Sequence, residues 1–186
     1  VPNSVSTINA IEQHVKDVRL VIERLNSANL ILNTGKCSWA QQSVRLLGFI
    51  VDSNGTRIDK SKLTNVHTFR KAKTAKEVQS ILGLVNYFRD YVPMMARVAE
   101  PLTRISHAHN VDELWGAEQN KSLDTIKSIL QSNLVLSHAN MSQRFYCSTD
   151  ASQYAVSAVL FQKDAYGRDK YISFISCSLS PSQRNW

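Results

Sequence analysis

Apolar residues in the middle of the chain recur at a helical interval. Val78, Ile81, Leu82, Val85 and Phe88 fall on one side of a 3.6-residue repeat, which predicts an amphipathic helix over 74–91. Thr74, three residues ahead of Glu77, is a capping box that starts it. Pro93 stops or kinks it soon after Tyr91. Gly83 stands inside this helix, at a cost of about 1 kcal/mol against alanine, so a close neighbour is expected there. Met95, Val98 and Leu102 then share one side of a second short helix, 94–104. The same interval at Ile11, Val15, Val18, Ile22 and Leu25 predicts a helix over 10–29, with Asn9 and Glu12 as its capping box. Asp59 can cap another helix through Lys62, Leu63, Val66 and Phe69. Trp115 opens a packed region, and Leu123, Ile126, Ile129 and Leu130 mark a helix over 117–132.

Two regions break the helical interval. Residues 44–51 read as a buried strand, and Asp52 to Gly55 as a tight turn whose strongest signal is Asn54-Gly55. Thr56 to Ile58 can pair back on that strand as a hairpin. From Arg144 the period becomes two, giving a strand that ends at Asp150. Residues 155–162 form a second strand, Asp164 to Gly167 a hairpin turn, and the serine-rich stretch from Tyr171 to Ser176 a third strand. Helices first and strands after 140 define an α+β chain of separate units rather than one interleaved sheet.

Charge adds a binding surface to this outline. The 22 lysines and arginines exceed the 15 acids by 7, and the excess is uneven. Residues 57–76 hold Arg57, Lys60, Lys62, Arg70, Lys71, Lys73 and Lys76 against one acid, Asp59. Such a cluster is either a solvated face or a phosphate-backbone contact. Cys37, Cys147 and Cys177 have the spacing of neither a zinc site nor a disulfide framework, which suggests a reducing compartment. No apolar run is long enough to span a membrane, and no leader is visible. The expected location is intracellular, cytoplasm or nucleus. His107 and His109 lack a visible third ligand, and His14 reads as a surface residue. The chain opens without Met and stops at Asn185-Trp186, which reads as part of something longer.

Several motifs in order carry a resemblance. Leu82-Gly-Leu-Val-Asn-Tyr-Phe-Arg-Asp-Tyr-Val92, followed by Ala99-Glu-Pro-Leu-Thr103, resembles the connection region of gypsy-type LTR retrotransposon polyproteins. His14 to Cys37 is similar to the helix and Asn-x-x-Lys-Cys segment that follows the polymerase active site in that family. Leu47-Gly48-Phe49, with Asp52 and Gly55, resembles its primer-gripping hairpin. Leu114-Trp115, Phe145, Thr149-Asp150-Ala151-Ser152 and Ala158-Val159-Leu160-x-Gln162 resemble the opening of its ribonuclease H-like domain. Ser178 to Trp186 resembles the stretch before that domain's first catalytic helix.

The resemblance implies a partial polymerase palm and thumb over 1–75, a helical connection over 76–140, and the first strands of a ribonuclease H-like fold over 141–186. It implies an RNA–DNA or DNA duplex as partner, together with the rest of the retroelement polyprotein, and no membrane. Leu47, Gly48, Phe49, Lys60, Lys62, Arg70, Lys71, Lys73 and Lys76 are the implied nucleic-acid contacts. Lys36 resembles the palm lysine that approaches the incoming nucleotide's phosphates; its plain alternative is a surface lysine beside a turn. Asp150 resembles the first ribonuclease H carboxylate, with an Asx-type turn to Ser152 as its local alternative.

The resemblance implies that the parent enzyme is an RNA-directed DNA polymerase with ribonuclease H, for which Mg2+ is expected. The chain has no adjacent Asp-Asp pair, and Asp150 alone cannot hold two metals, so no cofactor and no activity are expected of the chain by itself. A non-catalytic nucleic-acid-binding or scaffold protein derived from a retroelement is the alternative. Ala155 and Ser157 stand where the family usually has glycines, and Ala155 is expected to crowd a close strand. The sheet over 141–186 is expected to be marginal, mobile, or packed against the connection helices, with an open edge and an exposed apolar face.

Overall fold

Helix α1 runs from Ser4 to Ser27. It starts earlier than the capping-box pattern indicates, so Asn9 lies inside it. Its apolar stripe is only partly used: Val18, Ile22 and Leu25 are half-buried, whereas Ile11 and Val15 face solvent. The computed structural model describes residues 4–64, 66 and 68–185, and it divides into the units 1–41 and 42–186. Trp186, the last residue of the resemblance, lies outside the described residues. In the first unit α1 is followed by an irregular segment with one 3-10 turn, Thr34–Lys36.

The second unit opens with a meander of β1 Ser43–Leu46, β2 Phe49–Asp52 and β3 Gly55–Ile58, antiparallel in that order. The strand expected over 44–51 is thus two strands. Leu47 and Gly48 both take positive φ, 48° and 79°, the geometry of a two-residue hairpin turn that matches strand twist. The run is not buried either: β1 is exposed throughout and β2 is half-buried. At the second turn Asp52 Oδ1 accepts from the Asn54 amide at 2.8 Å.

Of the helix expected after Asp59, which runs over residues 65 and 67 outside the described ones, the described residues show a 3-10 turn, Lys60–Leu63, capped by Asp59 accepting from the Ser61 amide at 3.0 Å. Helix α2 covers Ala75–Tyr87. Thr74 Oγ1 accepts from the Glu77 amide at 3.3 Å, and Glu77 reaches back to the Lys73 amide at 2.7 Å. The helix ends before Tyr91, which sits in a separate 3-10 turn, Arg89–Tyr91. The second helix expected over 94–104 is also broken, into α3 Met95–Val98 and α4 Glu100–Ile105. Ala99 flattens to ψ −7° between them, and Pro101 restarts the second piece at its first turn. The short α5 Val111–Leu114 precedes α6 Ala117–Gln131. Leu63, Val78, Val85, Phe88, Leu102, Ile126 and Leu130 form the core that these helices share.

Gly83 does not mark close packing. It is exposed, and a Cβ added there would meet nothing within 4 Å. The close approach is at Gly55, where φ is 140° and an added Cβ would lie 2.0 Å from the Leu136 carbonyl oxygen.

The last sheet is antiparallel β4 Tyr146–Ala151, β5 Ala155–Lys163 and β6 Asp169–Ser178, in that order. β6 runs two residues beyond the expected strand at each end. Alternation gives the sheet two unlike faces. On one, Ala155, Phe174 and Ser176 are buried. Arg89 Nη2 donates to the Ser176 carbonyl at 2.9 Å, and the Ala96 amide donates to Ser176 Oγ at 3.0 Å. On the other, Val156 and Ile175 remain 43% and 60% exposed. The sheet is therefore packed against the connection helices on one face and apolar and open on the other. Ala155 pairs in register with Ser178 and is buried, so its methyl is accommodated rather than crowded out.

Candidate nucleic-acid interface

The β1–β2 hairpin projects a tip that neighbouring side chains hold in place. Leu47 is 78% exposed at that tip. The Tyr87 hydroxyl, from the end of α2, donates to the Leu47 carbonyl. Phe49 sits one residue inside the tip and is half-buried. It stacks with Tyr87 and Tyr91 at centroid distances of 5.7 and 5.4 Å, and meets Phe88 edge-on at 5.7 Å. Rings at these separations pack favourably beyond simple area burial. Phe49 is thus a support, while Leu47 and the Gly48 backbone are the accessible part of the triad.

The hairpin is also tied to the cationic segment. The Asp59 amide donates to the Gly48 carbonyl at 3.0 Å. The Lys62 stem comes within 3.6 Å of where a Gly48 Cβ would be. Lys62 therefore stands beside the tip. Asp59 is held below the usual carboxylate range, first by the Ser61 amide and then by its hydroxyl, with Arg45 and Lys62 adding to this. Asp52 is likewise lowered, chiefly by its hydrogen bond from Arg57. Both hairpin carboxylates are thereby committed to local structure.

The six lysines and arginines singled out from Lys60 to Lys76 are all exposed. Only one is neutralised. Lys71 Nζ lies 2.7 Å from Asp112 Oδ1 on α5, which lowers the Asp112 pKa. Among the described residues Lys60, Lys62, Arg70, Lys73 and Lys76 enter no ion pair. The fold brings Leu47, Gly48, Phe49 and Lys62 together. It places Arg70 to Lys76 separately, at the entry to α2.

Lys36 lies in the first unit, exposed at the end of the 3-10 turn Thr34–Lys36. Asp150 lies on β4, exposed and paired with Ser157, whose hydroxyl donates to the Asp150 carbonyl at 3.4 Å. It does not form the Asx turn. Ser152 instead closes that corner, its Oγ accepting from the Tyr154 and Ala155 amides at 3.3 and 3.2 Å. Among the described residues no group of three or more His, Cys, Asp or Glu could hold a metal ion.

Sequence reasoning missed Tyr87 and Tyr91 as supports of the hairpin. Tyr87 ends α2 off its apolar stripe and Tyr91 lies beyond the helix, and no periodicity reports that a hairpin forty residues upstream packs there. It also missed Leu136, whose carbonyl and amide bridge to Thr56 at 2.8 Å each. The usable signal was Gly55, assigned to the turn alone.

The hairpin, the helical connection and the antiparallel sheet match known proteins in the same order. A family model described as "RNase H-like domain found in reverse transcriptase" matches residues 115–186. That span takes in Trp115 and α6 as well as the sheet. The Transposon Tf2-3 polyprotein of Schizosaccharomyces pombe is 34% identical over 176 residues, covering 94% of this chain and 13% of the polyprotein. Among solved structures, the foamy viral protease-reverse transcriptase in complex with dsDNA aligns with TM-score 0.71 and 25% identity, over 94% of this chain and 36% of that one. The same enzyme in complex with RNA/DNA hybrid gives TM-score 0.72 at 23% identity, over 94% of this chain and 24% of that one, a likeness of fold.

The fold is that of a reverse-transcriptase thumb and connection followed by the start of an RNase H-like domain. Over 94% of its length the chain is similar to gypsy-type LTR retrotransposon polyproteins, and over 115–186 it carries the RNase H-like domain found in reverse transcriptase. It spans about 13% of the length of the curated relatives it matches.

Proposed function

We propose that this chain contributes template–primer duplex binding to a retrotransposon RNA-directed DNA polymerase and ribonuclease H. The observation that carries the reading is the hairpin tip, held out by Tyr87 and flanked by Lys62, in a segment whose exposed cations are largely free of acidic partners. Backbone phosphates are gripped by such cations without regard to sequence. Leu47 and Gly48 present a small apolar edge and an approachable backbone to the duplex. Lys60, Lys62, Arg70, Lys73 and Lys76 supply the charge, and Lys71 contributes less because Asp112 holds it. The likeness to a reverse transcriptase solved with dsDNA supports the same partner. The proposed division is palm and thumb over 1–75, connection over 76–140 and RNase H-like strands over 141–186, within an intracellular polyprotein.

Lys36 is proposed as a phosphate-facing palm lysine and Asp150 as the first carboxylate of the ribonuclease H cluster. Mg2+ in the parent enzyme would supply the charge stabilisation that phosphoryl transfer needs. The residues described here do not complete a site for it, and no step is assigned to Asp150 in this chain. The role proposed for these residues is duplex binding.

Titration with an RNA–DNA duplex at several salt concentrations tests this. Changing Lys60, Lys62, Arg70 and Lys73 together to alanine should weaken binding and reduce the log–log salt slope by about one for each phosphate no longer neutralised. Lys71→Ala should do less than any one of them. Unchanged affinity and slope in the fourfold variant would overturn the reading.

A further inference from the structure

The irregular segment between α6 and β4 touches both sheets of the second unit. On one side the Leu136 amide and carbonyl pair with Thr56 at 2.8 Å each, over the surface that Gly55 leaves bare. His138 Nε2 donates to the Asp52 carbonyl at 2.8 Å. On the other side the Ser137 amide donates to the Tyr171 carbonyl of β6 at 2.7 Å. Further along, the Gln162 amide group, from β5, exchanges hydrogen bonds with the Asn140 backbone. Its Oε1 accepts from the Asn140 amide at 2.9 Å, and its Nε2 donates to the Asn140 carbonyl at 2.7 Å and to the Gln143 carbonyl at 3.2 Å.

Two details make this more than an ordinary linker. Gln162 is 3% exposed, so its amide is committed to the strap in a place where an unpaired amide is costly. Leu136 is 6% exposed and packs with Tyr91 from beside α2 and Phe174 from β6. Tyr91 in turn donates to Thr56 Oγ1 at 2.7 Å. Successive residues of one strap thus grip β3 and β6, and Leu136, Tyr91 and Phe174 make the joint between them apolar.

We propose that residues 134–143 act as a brace: Gln162, through Leu136 and His138, positions the β1–β2–β3 hairpin for the duplex, so that folding of the RNase H-like sheet sets the hairpin's stance. This rests on the duplex-binding reading above. Gln162 touches no duplex; it is a positioning residue. The brace also has a directional consequence. Loosening the sheet frees the hairpin, whereas removing cations from the Lys60–Lys76 segment leaves the hairpin ordered and only weakens the grip.

Hydrogen exchange read residue by residue, together with duplex titration on the same 186-residue chain, tests this. Gln162→Leu should speed exchange of the Thr56 amide at least tenfold, leave α6 amides unchanged, and weaken duplex binding at least threefold. His138→Ala, an exposed position that leaves the core intact, should speed Thr56 exchange about threefold. This variant decides the matter if Gln162→Leu also exposes α6. Faster exchange at 140–143 in Gln162→Leu with Thr56 unaffected, or no change at Thr56 in His138→Ala, would overturn the brace. Faster Thr56 exchange with unchanged duplex affinity would overturn the positioning role. A wild-type chain that binds no duplex fails the functional reading, and the exchange data then still decide the brace.

Discussion

The helical layer from Leu63 to Leu130 closes on itself, whereas the sheet β4–β6 closes on one face only. Leu102, Ile126 and Val85 are at most 1% exposed, and α2, α4 and α6 surround them with apolar neighbours. In the sheet, Phe174 is covered while Ile175, the next residue, is 60% exposed. One chain therefore holds a core governed by hydrophobic burial and a sheet governed by polar ties at Arg89, Ala96, Ser137 and Gln162. Stability need not be uniform in such a unit. The sharpest contrast is between matched truncations. Leu102→Ala should cost about 2–5 kcal/mol in denaturant unfolding, and Ile175→Ala no more than about 0.5 kcal/mol. Equal losses would mean that the outer face of the sheet is covered in solution, and the comparison would fail.

Two glycines sharpen the same contrast at smaller scale. Gly55 has positive φ, and the Leu136 carbonyl occupies the space its missing side chain would need. Gly55→Ala should destabilise by more than about 1 kcal/mol, because both the backbone conformation and the bridge to the strap are disrupted. Gly83 faces open space in ordinary helix geometry. Gly83→Ala should stabilise by about 0.5–1 kcal/mol. Thermal midpoints of the two variants moving in the same direction would show that the close approach has been assigned to the wrong glycine.

That pair also shows where sequence reading stops. The apolar stripes at 78–88 and 123–130 identified α2 and α6 because a helix's own period reports which side it buries. Strand alternation likewise placed β4 and β5. The errors fall where a distant segment decides the outcome. Gly83 looked constrained because a mid-helix glycine has a cost, yet its helix presents that side to solvent. Gly55 looked like turn chemistry, while its decisive neighbour is about eighty residues away in sequence. The run at 44–51 read as one buried strand, because nothing in its composition shows that Leu47 takes the left-handed conformation with Gly48 and folds the run back. Of the proposed site, the cations and the Leu47–Gly48–Phe49 motif stand in the sequence reading. Tyr87, which bonds to the tip, and Leu136 and Gln162, which belong to the proposed brace, do not, since each acts through a tertiary hydrogen bond without a local pattern.

The smallest expected effect concerns acid. Asp52 and Asp59 bracket β3, and both carboxyls are held below their ordinary value, by Arg57 in the first case and the Ser61 amide in the second. A carboxyl whose pKa is lower in the folded state binds fewer protons there than in the unfolded chain. Its contribution is therefore complete above the ordinary carboxylate pKa of about 3.9 and disappears as pH falls through the lowered folded value. In the sheet, Asp164 is lowered in the same sense by the Arg168 amide and side chain. The hairpin thus has two acid-sensitive anchors and the sheet one. Amide chemical shifts followed by NMR should report this directly. Asn54, bonded to Asp52, and Ser61, bonded to Asp59, should both titrate with midpoints below about 3.9. In Asp52→Asn the Asn54 transition should vanish while that of Ser61 persists. A midpoint for Asn54 at or above the ordinary carboxylate value would remove Asp52 from the forces that shape the β2–β3 turn, and leave Gly55 and the strap to hold it.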